Sequence, residues 1–171
     1  FDFSVWEMDG ARLYGGKLIL VPKTTTRDMK LYLDLLKTSG VTVLNQTPSA
    51  FYMLAEEELK SSGKELRLRY VIFGGEALWP GRLKEWHEQY PQTKLINMFG
   101  ITETTVHVTY KEIGAEEIRL NKSNIGKPLP TLSTYIMDKY SNLVPIGTAG
   151  ELVVGGHGTA RGYLNRPELT A

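Results

Sequence analysis

Between residues 17 and 98, short apolar runs alternate with stretches of helical period, and this alternation restricts the fold more than any other feature. Residues 17–22 (Lys-Leu-Ile-Leu-Val-Pro), 41–44, 66–74 and 94–98 read as strands by run length, branching and a closing proline or glycine. Thr25 with Asp28 after it resembles a capping box, and Tyr32, Leu35 and Leu36 then share one helix face until Gly40. A helix over residues 49–60 turns Phe51, Leu54 and Ala55 inward, and one over 80–90 puts Leu83, Trp86 and His87 on one side. Ahead of these, Ser4 is a candidate cap for a short helix toward Tyr14, ended by Gly15-Gly16. Strands separated by helices need crossover connections, so this part is α/β with a largely parallel sheet and flanking helices.

After Gly100 the pattern changes. Residues 106–110, 133–137 and 151–154 alternate as strands, with turn-rich links such as Lys127-Pro128-Leu129-Pro130 and no helix expected between them. An antiparallel, barrel-like β segment is expected here, giving an α/β unit over residues 1–115 and a β-rich unit over 116–171. The chain begins on Phe1 and closes on a helix start at Pro167-Glu168-Leu169-Thr170, so it reads as an excerpt of a longer protein.

Charge and cysteine content narrow the classes. Twenty basic residues face 19 acidic ones in an interspersed pattern, which offers nucleic acid no basic stripe. Without cysteine there is neither a disulfide framework nor a thiolate metal site, in keeping with a reducing, cytoplasmic setting. No apolar run approaches the roughly 18 residues of a membrane helix.

The chemistry-bearing residues sit at strand ends. There is no Gly-x-Ser-x-Gly elbow, and His87, His107 and His157 lack metal-ligand spacing. The glycines of Gly155-Gly156-His157-Gly158-Thr159-Ala160-Arg161-Gly162 miss the dinucleotide spacing and read as tight turns between strands. In a parallel sheet Asn45, Ile72-Phe73-Gly74-Gly75 and Asn97-Met98-Phe99-Gly100 emerge at one edge, where α/β proteins bind ligands. Gly74-Gly75 permits close approach to the backbone, Phe99 offers a stacking face, and Asn97 an amide for a base edge. Thr102 is a donor for a phosphate oxygen, and Glu103 a carboxylate for Mg²⁺. These describe a nucleotide-triphosphate site; a polar turn capping the next element is the alternative on the same residues.

Three ordered motifs carry a resemblance across the whole chain: Phe1-Asp2-Phe3-Ser4, then Asn97-Met98-Phe99-Gly100-Ile101-Thr102-Glu103, then the run from Gly150-Glu151-Leu152-Val153-Val154 through Ala160-Arg161-Gly162-Tyr163-Leu164. The chain resembles the adenylation domains of non-ribosomal peptide synthetases, within the acyl-adenylate-forming superfamily. Phe99 and Ile101 stand where that family has Tyr and Pro, and Asp9 where an apolar residue is usual.

The resemblance implies part of the large N-terminal lobe of an enzyme that activates an amino acid with ATP and Mg²⁺. The acyl group would pass to the phosphopantetheine thiol of a peptidyl carrier protein, with a condensation domain as a further partner, in secondary-metabolite synthesis. By resemblance, Gly74, Gly75, Glu76 and Ala77 wall the adenine, Asn97 binds its amino group, and Phe99 and Gly100 lie against it. Thr102 touches the α-phosphate and Glu103 holds Mg²⁺, these two being the catalytic candidates. Asp2 pairs with the substrate ammonium, and Phe3, Trp6, Asn45, Ile72, Gly74, Met98, Val106 and His107 line a side-chain pocket. That string looks like the code for threonine: bulky groups leave a small cavity, and Asn45 and His107 can bond a hydroxyl.

By the same resemblance a phosphate loop lies upstream, and a ribose-binding aspartate and a catalytic lysine lie downstream. These 171 residues alone are therefore expected to be inactive. The rival readings are an acyl- or aryl-acid CoA ligase, which has no ammonium for Asp2 to pair, and a non-catalytic nucleotide-binding or interaction module.

Overall fold

The structure, a computed structural model, describes residues 2–61, 63 and 65–170. Phe1, the first residue of the leading motif, lies outside the described residues. A five-stranded sheet runs in chain order: β1 (Val43–Gln46), β2 (Tyr70–Phe73), β3 (Lys94–Asn97), β4 (Thr109–Ile113) and β5 (Lys127–Pro128). The first three are parallel, with Asn45 opposite Ile72 and Ile72 opposite Ile96. β4 and then β5 join antiparallel, so the sheet extends to Pro128. β6 (Leu132–Met137) and β7 (Glu151–Gly156) form a separate antiparallel pair.

Side chains alternate across the sheet, so each strand feeds two different environments. Val71, Phe73 and Leu95 enter the main core, while Ile72, Ile96 and Met98 form a smaller cluster. Helices α2 (Met29–Thr38), α3 (Pro48–Leu59), α4 (Lys84–Gln89) and α5 (Ala115–Leu120) contribute to the main core through Leu36, Phe51, Trp86 and Ile118. Phe51 meets the edges of Phe73 and Trp86 at centroid distances of 5.1 and 4.9 Å, the tilted packing aromatic quadrupoles favour. Behind α3, fully buried Glu58 is held by Lys37 Nζ at 2.9 Å and by the Tyr90 hydroxyl. Two short helices flank this body, α1 (Phe3–Leu13) and α6 (Pro167–Thr170).

Several local expectations are corrected. Residues 17–22 form no strand: Leu20 is 80% exposed, and Val21 only packs against the core edge. An apolar run shows that a segment packs somewhere, not that it finds a ladder partner. The cap of α2 is Asp28, which accepts from the Lys30 and Leu31 amides at 3.0 and 3.1 Å, while Thr25 opens a separate 3-10 turn. Asp2 rather than Ser4 stands at the cap position of α1. Residues 80–90 divide into a 3-10 turn and α4. α5 occupies a stretch where the sequence pattern predicts no helix; its short period hides between Gly114 and Asn121, which end it at both sides.

Candidate active site

α1 crosses the carboxyl ends of the parallel strands and touches the end of each. Trp6 Nε1 donates to Asn45 Oδ1 on β1 at 3.1 Å. A Cβ on Gly74, just past β2, would stand 2.5 Å from Phe3 Cζ, so glycine there makes room for the Phe3 ring. Beyond β3, the Thr102 hydroxyl donates to Asp2 Oδ2 at 3.0 Å. The N-terminal motif therefore lies over the strand ends as a lid on the sheet edge.

The turn after β3 is closed by its own backbone. The Phe99 carbonyl accepts from the Val108 and Thr109 amides at 2.7 and 3.0 Å. A Cβ on Gly100 would overlap the Val106 carbonyl oxygen, so only glycine fits. Within the loop, Thr104 bonds both the amide and the carbonyl of Ile101. Thr105 and Val106 take φ of 58° and 71°, a left-handed conformation that is costly for β-branched residues and survives only where the surroundings enforce it. Here the Gly100 contact and the Thr105 hydroxyl, which donates to the Gly158 carbonyl at 2.7 Å, supply that enforcement.

This loop drives His107 between Phe3 and Trp6, at centroid distances of 5.4 and 5.6 Å. His107 is 6% exposed, and its Nε2 has no hydrogen-bond partner among the described residues. Burial pulls its pKa below the ordinary histidine value, the Asp2 charge opposing, so the ring is neutral near pH 7. Ile72 and Met98 pack in one cluster beneath, and the Val106 side chain is buried. Eight of the nine residues expected to form the side-chain pocket are thus linked by contacts, with Val106 buried beside His107 in the chain. Asn45 is already engaged: its oxygen receives Trp6, and Glu7 hydrogen-bonds with its side chain. Burial pushes the Glu7 carboxyl up, and that bond draws it partly back.

The nucleotide candidates lie alongside. Gly75, Glu76 and Ala77 are exposed, and Gly75 has φ of 81°. The Glu76 carboxylate accepts from the Ser49 amide and hydroxyl at 3.1 and 2.9 Å, so its side chain caps α3 while its backbone remains at the edge. Asn97 is buried and donates through Nδ2 to the Asn124 carbonyl at 2.8 Å, which fixes its amide plane. Phe99 is half-buried.

Glu103 is reached from the far end of the chain. Its carbonyl accepts from the Ala160 amide at 2.7 Å, and its Oε1 accepts from the Tyr163 hydroxyl. The Tyr163 bond holds the Glu103 carboxyl below its ordinary pKa, with the nearby Asp2 charge opposing. Asp2 and Glu103 therefore lie close together, on either side of the Thr102 hydroxyl bond. A cavity of about 380 Å³ opens beside Glu103, lined by Thr102, Glu103, residues 159–163, Leu169 and Thr170, with Asp2 outside its lining. A larger cavity of about 560 Å³ lies along β4 and β5, outside this group of side chains.

Tyr163, Glu7 and Asn124 carried no assigned role in the sequence. Tyr163 stands inside the third motif and was legible as part of it; Glu7 and Asn124 gave no signal beyond their residue type. The glycine-rich run does not form the expected tight turns between strands; instead Gly155 and Gly156 lie within β7, a turn follows at residues 157–159, and the next element is α6, with residues 158 and 160 bonded to the Glu103 turn. Asp9 is exposed, so a charge in place of an apolar residue is solvated there.

The whole chain is 60% identical to a plipastatin synthase and, with small gaps, 53% identical to a dimodular nonribosomal peptide synthase, both of Bacillus subtilis (strain 168), and it spans about 7% of the length of each. A solved structure of PA1221, an NRPS protein containing adenylation and PCP domains, covers all of the chain with a TM-score of 0.86 at 26% identity, the chain covering 34% of it. Residues 1–164 match the AMP-binding enzyme family. The match takes in the three parallel strands under α1 and the β6–β7 pair alike, and the chain belongs to the AMP-binding enzyme family.

Proposed function

We propose that the chain is the amino-acid-selecting part of an adenylation domain in a peptide synthetase, and that its substrate is threonine. A substrate carboxylate oxygen bonds to the α-phosphorus of ATP as the bond to pyrophosphate breaks, giving an aminoacyl-adenylate. The acyl group then passes to a carrier-protein thiol, and dependence on ATP fits a cytoplasmic location. No protein nucleophile is needed; alignment and neutralised charge supply the rate.

The observation that carries this reading is the buried His107 Nε2 without a partner, set between Phe3 and Trp6 beneath the Asp2 carboxylate. An ammonium on Asp2 places a short side chain toward that nitrogen, and a β-hydroxyl satisfies it. Asn45 assists with the remaining lone pair of its oxygen, already fixed by Trp6. An acyl- or aryl-acid ligase gives neither Asp2 nor His107 a partner.

For the nucleotide, Asn97 presents its amide oxygen to the adenine amino group, because its nitrogen is committed to Asn124. Gly74, Gly75, Glu76 and Ala77 offer backbone, and Phe99 with Gly100 closes the ring's other side. Glu103 is the residue that would hold Mg²⁺, which takes one or two carboxylates with phosphate oxygens and water. Bound there, Mg²⁺ would neutralise phosphate charge. Thr102 orients the α-phosphate.

Amino-acid-dependent pyrophosphate exchange with the complete protein tests the reading. Threonine should exceed valine by about 10⁴-fold, because valine leaves the polar groups unpaired, while serine should lose only about 1–3 kcal/mol. Equal activation of valine and threonine would remove the pocket assignment.

A further inference from the structure

We propose that Tyr163 is a positioning residue: its phenolic hydroxyl fixes the Glu103 carboxylate so that the second oxygen faces the divalent cation of the bound nucleotide. This rests on the reading of Glu103 as the cation-facing carboxylate.

Glu103 belongs to a three-residue 3-10 turn, an element with little intrinsic rigidity. Its side chain is long and freely rotating, so an unsupported carboxylate at this point would sample many directions. The segment that follows β7 removes that freedom. Ala160 bonds the Glu103 backbone, Gly158 receives the Thr105 hydroxyl, and Tyr163 takes Oε1.

Tyr163 is itself held in place. Its amide donates to the Thr170 hydroxyl oxygen at 3.0 Å, and that hydroxyl donates to the Arg166 carbonyl at 3.1 Å, tying the ring's backbone to α6. Gly162, at φ of 142°, lies so close to Thr170 that a side chain there would collide with it. An ionised carboxylate only accepts, so the phenol must donate; the carboxylate also accepts from its own backbone amide, and its remaining lone pairs are left for a ligand. Hydrogen-bond partners of this kind, one step behind a metal-facing group, typically govern metal affinity by about 10–100-fold.

The test uses the full-length protein with Mn²⁺ as the probe cation. Electron paramagnetic resonance reads bound Mn²⁺ in the presence of a non-hydrolysable ATP analogue, a measurement independent of turnover. Tyr163→Phe keeps the ring and loses only the donor. It should weaken Mn²⁺ binding by about 10–100-fold, raise the Mg²⁺ half-saturation of pyrophosphate exchange in parallel, and leave the thermal midpoint unchanged. Unaltered Mn²⁺ affinity in Tyr163→Phe, with affinity lost in Glu103→Gln, would overturn the proposal alone. Unaltered affinity in both variants would overturn the assignment of Glu103 as well. Should Tyr163→Phe fail to fold, Thr170→Val frees the Tyr163 backbone without touching the ring; weaker Mn²⁺ binding there supports the proposal, and wild-type affinity overturns it.

Discussion

The Thr102 hydroxyl donates to the Asp2 carboxylate at 3.0 Å, joining positions 100 residues apart in the chain. A hydroxyl carries one proton, so it cannot serve Asp2 and a phosphate oxygen together. On the proposed roles, a phosphate at Thr102 would release an oxygen of Asp2 for the substrate ammonium, and the ammonium would in turn release the hydroxyl for phosphate. Such coupling is reciprocal and typically worth about 1–3 kcal/mol. Isothermal titration of threonine should show tighter binding when a non-hydrolysable ATP analogue is present. In Thr102→Val that enhancement should vanish; its survival would show that the hydroxyl is not the shared donor.

On the proposed function Asp2, close to His107, is the acid that pairs with the substrate ammonium, while Glu103 is turned to Tyr163. Asp2→Ala should therefore cost about 2–5 kcal/mol in amino-acid binding, as for one partner of a hydrogen-bonded charge pair. Nucleotide affinity in this variant should not fall, because Thr102 is then free for phosphate. Equal threonine affinity in the variant and the wild type would take Asp2 out of its role.

His107 makes stability depend on pH, and on the proposed function it also carries selectivity. Its folded pKa lies below the unfolded value of about 6.5, so the unfolded chain takes up the proton first as pH falls. The stability contributed by the neutral ring is complete above about pH 6.5 and is lost as pH falls toward the depressed folded pKa. Urea midpoints should drop between pH 7 and pH 5 in the wild type and drop less in His107→Leu. The same variant should lose most of the preference for threonine over valine in pyrophosphate exchange. A variant that keeps both the wild-type pH dependence and the preference would place the effect elsewhere.

The pair behind α3 sets a different test. Glu58 is fully buried, with Lys37 at 2.9 Å as its counter-charge. Lys37→Met leaves that carboxylate unpaired in the core, at a cost of about 3–5 kcal/mol. Adding Glu58→Leu should restore much of the loss, because a well-packed apolar replacement is often neutral. Denaturant midpoints of the single and double variants decide it, and a single variant as stable as the wild type would show that Lys37 does not stabilise the buried Glu58.

The sheet and its ligand edge were legible because strand runs and helical period are local signals. Asn45, Gly74 and Asn97 could be placed at strand ends from chain order alone. The wall made by Val106 and His107 was not legible from period. The alternation over residues 106–110 suggests a strand from Val106, yet β4 begins at Thr109. What replaces it is a left-handed turn, imposed by the fit of Gly100 under the Val106 carbonyl, a contact between residues that no local pattern pairs. The partners of Asn97 and Glu103, namely Asn124 and Tyr163, are equally non-local: they come from segments 27 and 60 residues away. Local propensity carries no information at that distance.

The clash that forbids a side chain at Gly100 bears on how this pocket can be retuned. On the proposed function, Val106 and His107 are wall residues carried by one hairpin, so lengthening or shortening that hairpin would unseat both together, while the rest of the wall, from Asp2 to Gly74, is carried by other segments.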